Sequence, residues 1–559
     1  MASLEQALSS MTSGVKVFVV QFNPIVGDIE QNLRSILAAV ERGKEGFADL
    51  ILFPELALTG YPPEDLLLLP DFLTQVEIAL CQMLPHSFGV EVVLGLPRRV
   101  LGEKGLANSA VWIANGEVVG YFDKQRLPTY DVFDERRYFE PGTTPFVRKV
   151  RGVSFGVTIC EDVWDENDGM ISYRQNPLQQ LLLLQPDVVL NLSASPYHIG
   201  KEERRFAIFQ KAAHTVQAPL LFCNQVGAND GLIFEGGSFL MDSRGVLTQA
   251  PAFVEADFWV TLPFLGNATE CILAPDPMER LAEALVLGIK DYVRKTGFER
   301  VCLGLSGGID SAVVACLAQL ALGKERVFAF YMPSRFSSKE SGEDARELAD
   351  QLGIYLQELS IEEPFQSYLR ALAPCLSSSF GLTEQNLQAR VRGTLLMAFA
   401  NQWGMLLLNT SNKSEAAMGY ATLYGDLAGA FGAIGDLLKT DVYRLGRWLQ
   451  KIYGSIPERV FQKAPSAELA EGQKDSDTLP DYTVLDLILK AYLEEGKIEK
   501  NIAEEVGVSD AFVGNILSKL RAQEYKRRQS PFSLRVTKRS FSFGWRFPVV
   551  QRYNPLKFV

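Results

Sequence analysis

Short apolar runs recur along the first half of the chain: VKVFVVQFN (15–23), LILFPEL (50–56), VEVVLGLP (90–97), SAVWIANGEVVGYFDK (109–124), VSFGVTIC (153–160) and DVVLNLSAS (187–195). Each is too short and too evenly apolar for a helix and reads as a buried strand, while the spacing around Asn32–Gly43 repeats with helical period. With PLLFCNQVG (219–227) and GGSFLMDSRGV (236–246) the pattern reaches about residue 270 and predicts a strand-rich α/β domain. ILAPDPMER (272–280) then interrupts it with two prolines and starts a helix predicted over Met278 to Lys295, so the domain boundary is expected near residue 275. Beyond it, VCLGL (301–305), a loop and a helix, VFAFYMP (327–333) before a helix from about Lys339, and GMLLLNTSN (404–412) alternate as in a doubly wound parallel sheet. The expected division is 1–14 as an N-terminal extension, 15–274 as the first domain and 275–559 as the second.

The bulk numbers agree. A chain of 559 residues is too long for one core, and 47% hydrophobic with 22% charged residues is an ordinary globular mixture. No apolar run reaches the roughly 18 residues of a membrane span, and Met1–Gly14 lacks a signal peptide's basic start and apolar centre. A cytoplasmic protein without a membrane partner is expected. Seven cysteines without a CxxC suggest neither a disulfide framework nor a zinc site, and three histidines leave little room for imidazole chemistry. Net charge is −12, yet residues 521–559 carry ten Lys/Arg against Glu524 alone, which leaves about −21 on the remainder and hints at an anionic partner for the C-terminus.

Two places carry candidate chemistry. In GLSGGIDSAVVACLAQ (304–319), Ser306, Gly307 and Gly308 fall at a strand-to-helix turn, where free backbone N–H groups favour a phosphate. The Walker Gly-Lys-Ser/Thr is absent; Asp310 follows instead, a carboxylate able to hold magnesium against pyrophosphate, which points to cleavage between the α- and β-phosphates. In the first half, FPELALTGYPPEDLL with Glu55, YFDKQRLPTYDVFDERRYFEPG with Lys124 and FGVTICEDVW with Cys160 each lie at or just past a predicted strand end. Singly each has a bland reading as solvated charge or core thiol. Together they supply a nucleophile, a base to deprotonate it and a cation for an oxyanion.

Those three contexts resemble the nitrilase superfamily, which implies an αββα sandwich, a Glu55–Lys124–Cys160 triad and a substrate-positioning second glutamate at Glu135. The SGGIDS loop resembles the PP-loop of N-type ATP pyrophosphatases. FYMPSRFSSKES (330–341), TEQNLQARVRGTLLM (383–397), LNTSNKSEAAMGYATLYGD (408–426), KTDVYRLG (439–446), PSAELAEGQKDSDTLPDY (465–482) and EYKRRQSP (524–531) narrow the likeness to the glutamine-dependent NAD synthetase family, from about residue 15 to 531. The resemblance implies an ATP site at Gly304, Leu305, Ser306, Gly307, Gly308, Ile309, Asp310, Ser311 and Thr410. It implies deamido-NAD contacts at Asn386, Glu415 and Lys526, and glutamine contacts at Tyr130, Ser195 and Lys201. Mg2+ falls to Asp310, with Glu415 open between metal and substrate. Asp131 departs from the glycine expected after Tyr130, and the chain after Pro531 has no counterpart in the pattern.

The implied activity is a glutamine-hydrolysing ligase that adenylates deamido-NAD, delivers ammonia internally and gives NAD, AMP, pyrophosphate and glutamate. Its partners are then small molecules, with a homo-oligomer expected. A PP-loop ligase with another acceptor is the enzymatic alternative. A second, non-enzymatic one rests on KNIAEEVGVSDAFVGNILSKLRAQEYKRR (500–528), which reads as helix, turn, helix and basic end beside the positive tail, as in a DNA-binding regulator. Helix pairs joined by a short glycine turn are common in ordinary domains, and Cys160, Ser306 and Asp310 are all retained, so the enzyme reading is favoured and no nucleic-acid partner is expected.

Overall fold

The computed structural model describes residues 14–164, 173, 175–264, 276–376 and 380–553. The boundary expected near 275 and residues 1–13 of the expected extension lie outside the described residues. Two compact units result, Met1–Leu273 and Ala274–Val559.

The first unit holds fourteen described strands: β1 (Val15–Gln21), β2 (Leu50–Leu52), β3 (Glu91–Arg99), β4 (Leu106–Ala114), β5 (Glu117–Asp123), β6 (Val147–Val150), β7 (Val153–Ile159), β8 (Val188–Ser193), β9 (Leu220–Asn224), β10 (Val226–Asn229), β11 (Leu232–Glu235), β12 (Phe239–Asp242), β13 (Gly245–Gln249) and β14 (Ala256–Leu262). They form two six-stranded sheets, ordered β14-β1-β2-β3-β4-β5 and β13-β12-β9-β8-β7-β6, plus the β10–β11 ribbon. In both sheets the central strands are parallel and the outer ones antiparallel. SAVWIANGEVVGYFDK splits into β4 and β5 at Asn115-Gly116, both at positive φ, the backbone that a two-residue hairpin requires.

Val17, Val19, Leu52, Val93 and Trp112 of one sheet pack against Val157, Ile159, Leu190, Leu192 and Leu221 of the other. On the outer face of the second sheet, Ile208, Phe209, Ala212 and Val216 of the helix Lys201–Val216 pack onto Val189, Phe222 and Phe239. The helix Ile29–Glu45, whose Asp28 accepts from Gln31 N, and the helix Pro70–Met83 belong to the first sheet's side. Both faces of each central strand are therefore buried, which is why these strands read as unbroken apolar runs. This is the αββα sandwich.

The second unit carries a parallel sheet of β15 (Val301–Gly304), β16 (Val327–Tyr331), β17 (Tyr355–Glu358), β18 (Leu406–Asn409) and β19 (Phe431–Gly432), ordered β17-β16-β15-β18-β19. The order reverses between β15 and β18, so the crevice at their carboxyl ends is the expected ligand site of a doubly wound sheet.

The helix pair of the regulator reading does form, as Glu499–Val506 and Asp510–Ala522. Its apolar face is packed into the unit's own core. Ile502, Ala503, Val513, Ile516, Leu517 and Leu520 are buried together with Leu485, Leu489 and Trp545. The described part of the basic tail, to residue 553, is likewise folded into the unit rather than left as an arm. Gly432 N donates to Phe532 O at 2.8 Å, Asp436 accepts from the backbone of Val536 and Thr537 at 2.9 and 2.8 Å, and Trp545 Nε1 donates to Glu524 at 2.9 Å. Arg527 and Arg535 are buried as well. Charge counting cannot see this, because it treats every Lys and Arg as solvated.

Candidate active sites

In the first unit, Glu55, Lys124 and Cys160 follow β2, β5 and β7, and all three are buried. Lys124 Nζ lies 2.7 Å from Glu55 Oε1 and 2.7 Å from Glu135 Oε1. Glu55 is fixed from both sides, accepting from Asn108 Nδ2 at 2.7 Å on Oε1 and from Ala194 N at 3.0 Å on Oε2. Glu135 Oε1 also takes the Tyr61 hydroxyl at 2.8 Å, while its Oε2 is buried with no hydrogen-bond partner among the described residues. An acceptor left unpaired in a buried pocket costs free energy unless a ligand group meets it.

Cys160 sits where β7 breaks into a single helical turn, at φ +43°. That left-handed backbone is strained for a non-glycine residue and turns the thiol off the strand end. Asp162 holds the turn: it accepts from Ile159 N at 2.9 Å, Arg126 N at 2.9 Å and Gln125 N at 3.1 Å. One carboxylate thus ties the residue after Lys124 to the residue before Cys160.

Burial pushes the Cys160 thiol well up, and Glu55 adds to it against Lys124. The resting thiol is protonated and needs its proton removed during attack. Burial alone would lower Lys124, but Glu135 and Glu55 outweigh it and hold the ammonium well above its ordinary value. Burial, with the Glu55 charge beside it, also raises Glu135 despite Lys124.

Tyr130 OH donates to Glu161 Oε1 at 2.9 Å, joined by Tyr173 OH at 3.1 Å. Ser195 N donates to Asn224 Oδ1 at 2.9 Å, one residue from the Ala194 amide that holds Glu55. Lys201 Nζ donates to Pro196 O at 2.6 Å at the start of its helix. Glu135, Tyr130, Ser195 and Lys201 are thus buried or half-buried near the triad.

In the second unit, β15 runs through Leu305–Gly308 into the helix Ile309–Leu322. Gly307 has φ +79°, and a Cβ there would stand 2.3 Å from Ser341 O, so this position accepts glycine alone. Ser306 and Ser311 brace the loop, with Oγ to Oγ at 3.1 Å. Above it opens a cavity of about 290 Å³ lined by Gly304, Leu305, Ser306, Gly308, Ile309, Asp310 and Ser311, with Thr410 and Glu415 across from them. Thr410 and Glu415 lie beyond β18, so the cavity sits in the crevice where the strand order reverses.

Asp310 accepts from Asn412 Nδ2 at 2.9 Å and from Lys439, whose Nζ also lies 3.2 Å from Glu415 Oε1. Burial raises Glu415, and Asp310 adds to it against Lys439. Burial would lower Lys439, yet Asp310 and Glu415 keep it charged and above its ordinary value. Among the described residues no group of three His, Cys, Asp or Glu side chains converges as a ready metal cage. Asp310 and Glu415, which meet at the Lys439 ammonium, are the two carboxylates here that could hold Mg2+, an ion that takes few protein oxygens and completes its shell with water and phosphate.

Asn386 and Lys526 do not line this cavity. They meet at the neighbouring turn: Thr422 Oγ1 donates to Asn386 Oδ1 at 2.7 Å, and Lys526 Nζ donates to Gly419 O and Ala421 O at 2.7 and 2.8 Å. Sequence reasoning missed Asn108, Asp162 and Lys439. Lys439 carried a signal, since a lysine opening a helix (Lys439–Tyr453) opposes the dipole and calls for a compensating anion. The rest depend on contacts between distant segments and carried none.

Residues 16–258 match the carbon-nitrogen hydrolase family and residues 281–530 match NAD synthase. The glutamine-dependent NAD(+) synthetase of Synechocystis sp. is 44% identical over 553 residues, spanning 96% of this chain and 99% of that protein. Its counterpart from Thermotoga maritima is 40% identical over 97% and 99%. The solved structure of glutamine-dependent NAD+ synthetase from Acinetobacter baumannii in complex with adenosine diphosphate is 38% identical, covers 96% of this chain and 99% of its own, and superposes with a TM-score of 0.76. With matches to both family models and full-length likeness at this identity, the chain belongs to the glutamine-dependent NAD(+) synthetase family.

Proposed function

We propose that the chain makes NAD in two half-reactions, one in each unit, and that the side chains above divide the work as follows. Glu55 takes the Cys160 proton as sulfur attacks the glutamine carboxamide. Lys124 stabilises the oxyanion, Glu55 passes the proton on to the amide nitrogen so that ammonia leaves, and water hydrolyses the thioester to glutamate. Glu135 Oε2, buried without a hydrogen-bond partner among the described residues, accepts from the substrate amide, with Tyr130, Ser195 and Lys201 around the amino-acid end.

In the second unit the backbone of Gly304–Ser311 and Thr410 hold ATP, while Asn386, Glu415 and Lys526 face deamido-NAD. Asp310 and Glu415 are the residues that would hold Mg2+, which supplies charge neutralisation for the departing pyrophosphate. Attack by the nicotinate carboxylate on the α-phosphate gives an acyl adenylate and pyrophosphate; ammonia then displaces AMP. Transfer of ammonia without release keeps its lone pair, which protonation in water would remove.

The observation that carries this reading is the Lys124 ammonium held 2.7 Å from two buried carboxylates beside a buried cysteine in a left-handed turn. The test is product balance with glutamine, Mg-ATP and deamido-NAD. Equal glutamate, NAD, AMP and pyrophosphate are expected, with Cys160→Ala making NAD from ammonium only. ADP with orthophosphate, or glutamine use by Cys160→Ala, would overturn it.

A further inference from the structure

Among the described residues, three cationic side chains line the cavity above the glycine loop: Arg392, Lys439 and Lys463. All three already have partners in the fold. Lys439 is taken by Asp310 and Glu415. Arg392 Nε donates to Met332 O at 3.0 Å, and burial lowers its guanidinium to about 10.

Lys463 is placed differently. Its Nζ lies 2.7 Å from Glu468 Oε1, 3.2 Å from Ser338 Oγ, and bonds Ser341 Oγ. Ser341 is the residue whose backbone packs against Gly307 of the loop, so the ammonium stands next to the turn that faces phosphate. Glu468 is built to hold it. Besides Lys463 it accepts from Ser341 Oγ at 2.8 Å and Ser338 Oγ at 2.9 Å, and its backbone has φ +49°, a conformation rare outside glycine and frequent at binding sites. Burial would raise the Glu468 carboxyl, but Lys463 and the two hydroxyls outweigh it and keep it ionised.

We propose that Lys463 is a phosphate-binding residue of the nucleotide cavity, kept charged and positioned by Glu468 and directed at the β- and γ-phosphates that leave as pyrophosphate. The inference rests on reading Gly304–Ser311 as the phosphate loop. The exchange is economical: Ser338 and Ser341 already donate to Glu468, so a phosphate oxygen can replace a hydroxyl on Lys463 while both hydroxyls stay paired. The ammonium's pairing with Glu468 persists, and the added partner is an anion.

The test uses calorimetric titration of the full-length protein, in Mg2+, with inorganic pyrophosphate and separately with AMP. Lys463→Met is expected to weaken pyrophosphate about 10- to 100-fold, the range of a charge-assisted hydrogen bond, and to leave AMP within about twofold. Lys463→Arg is expected to recover part of the loss. Pyrophosphate affinity unchanged in Lys463→Met overturns the proposal, as does equal weakening of both ligands, the result of a purely structural role. Ser306→Ala separates the underlying reading: if it weakens pyrophosphate and Lys463→Met does not, the loop stands and the lysine fails. If the wild-type protein binds no pyrophosphate, both fail.

Discussion

Glu55→Gln keeps the side chain's shape and removes its charge, which isolates the base from the scaffold. In the wild-type protein the hydrogen-bond partners of this carboxylate among the described residues are donors: Lys124 Nζ and Asn108 Nδ2 on one oxygen, Ala194 N on the other. A glutamine must therefore turn its NH2 toward a donor, leaving one buried group unpaired. Breaking a buried pair outright costs about 3–5 kcal/mol. Here Lys124 keeps Glu135 at 2.7 Å, so the ammonium is not orphaned and a loss of about 1–3 kcal/mol of stability is expected. The catalytic effect is larger and selective. With burial holding the thiol protonated, loss of its base should lower the glutamine-supported rate about 10²- to 10⁴-fold, or about 3–5 kcal/mol of barrier. NAD formation supported by high ammonium should stay within about threefold, since the second unit is untouched. The assay is NAD per enzyme with each nitrogen donor, alongside thermal unfolding. A glutamine-supported rate near wild type refutes Glu55 as the base; equal loss with both donors refutes the selective role and points to misfolding.

Asp310→Asn should abolish NAD formation from either donor, because the carboxylate facing Lys439 at the phosphate loop is lost, while glutamate release continues; retained ammonium-supported synthesis would remove Asp310 from the metal site. Gly307→Ala should cost about 2 kcal/mol or more, combining a left-handed residue with a Cβ 2.3 Å from Ser341 O, and raise the ATP requirement; wild-type melting and ATP use would contradict it. Burial, working against three backbone N–H groups, lifts the Asp162 carboxyl from 3.8 to about 7, so the folded state holds this proton more tightly than the unfolded state between those values. Its contribution to stability therefore falls as pH rises through that window and levels off above about 7. Asp162→Asn should flatten the decline in denaturation midpoint between pH 4 and 7, and an unchanged or steeper slope would rule the group out.

The elements that the sequence determined by itself are those whose cause is local. Apolar runs gave β1, β7, β8, β15 and β16 within a residue or two, because a strand buried on both faces must be apolar throughout. The proline-marked helix starting near residue 277 and the glycine loop before Ile309 were equally legible, since Pro and Gly act on their own backbone. Motif likeness singled out Glu55, Lys124 and Cys160, and the fold brings Glu55 and Lys124 together at 2.7 Å beside Cys160. β17, with its half-exposed YLQE, carried no such pattern, and β19 is only two residues long. What the tertiary structure alone decided are the interactions between segments far apart in the chain. Asp162 clamps backbone from two loops, Lys439 bridges Asp310 and Glu415, and Ser338 and Ser341 bond the Lys463–Glu468 pair. The same holds for the basic end of the chain, which by charge looks like an arm for an anionic partner. Leu534, Val536 and Trp545 are buried in the unit, and Asp436 binds the backbone between them. A net charge sums over residues without regard to their neighbours; burial and pairing, which decide what a charge does, exist only once the chain has folded.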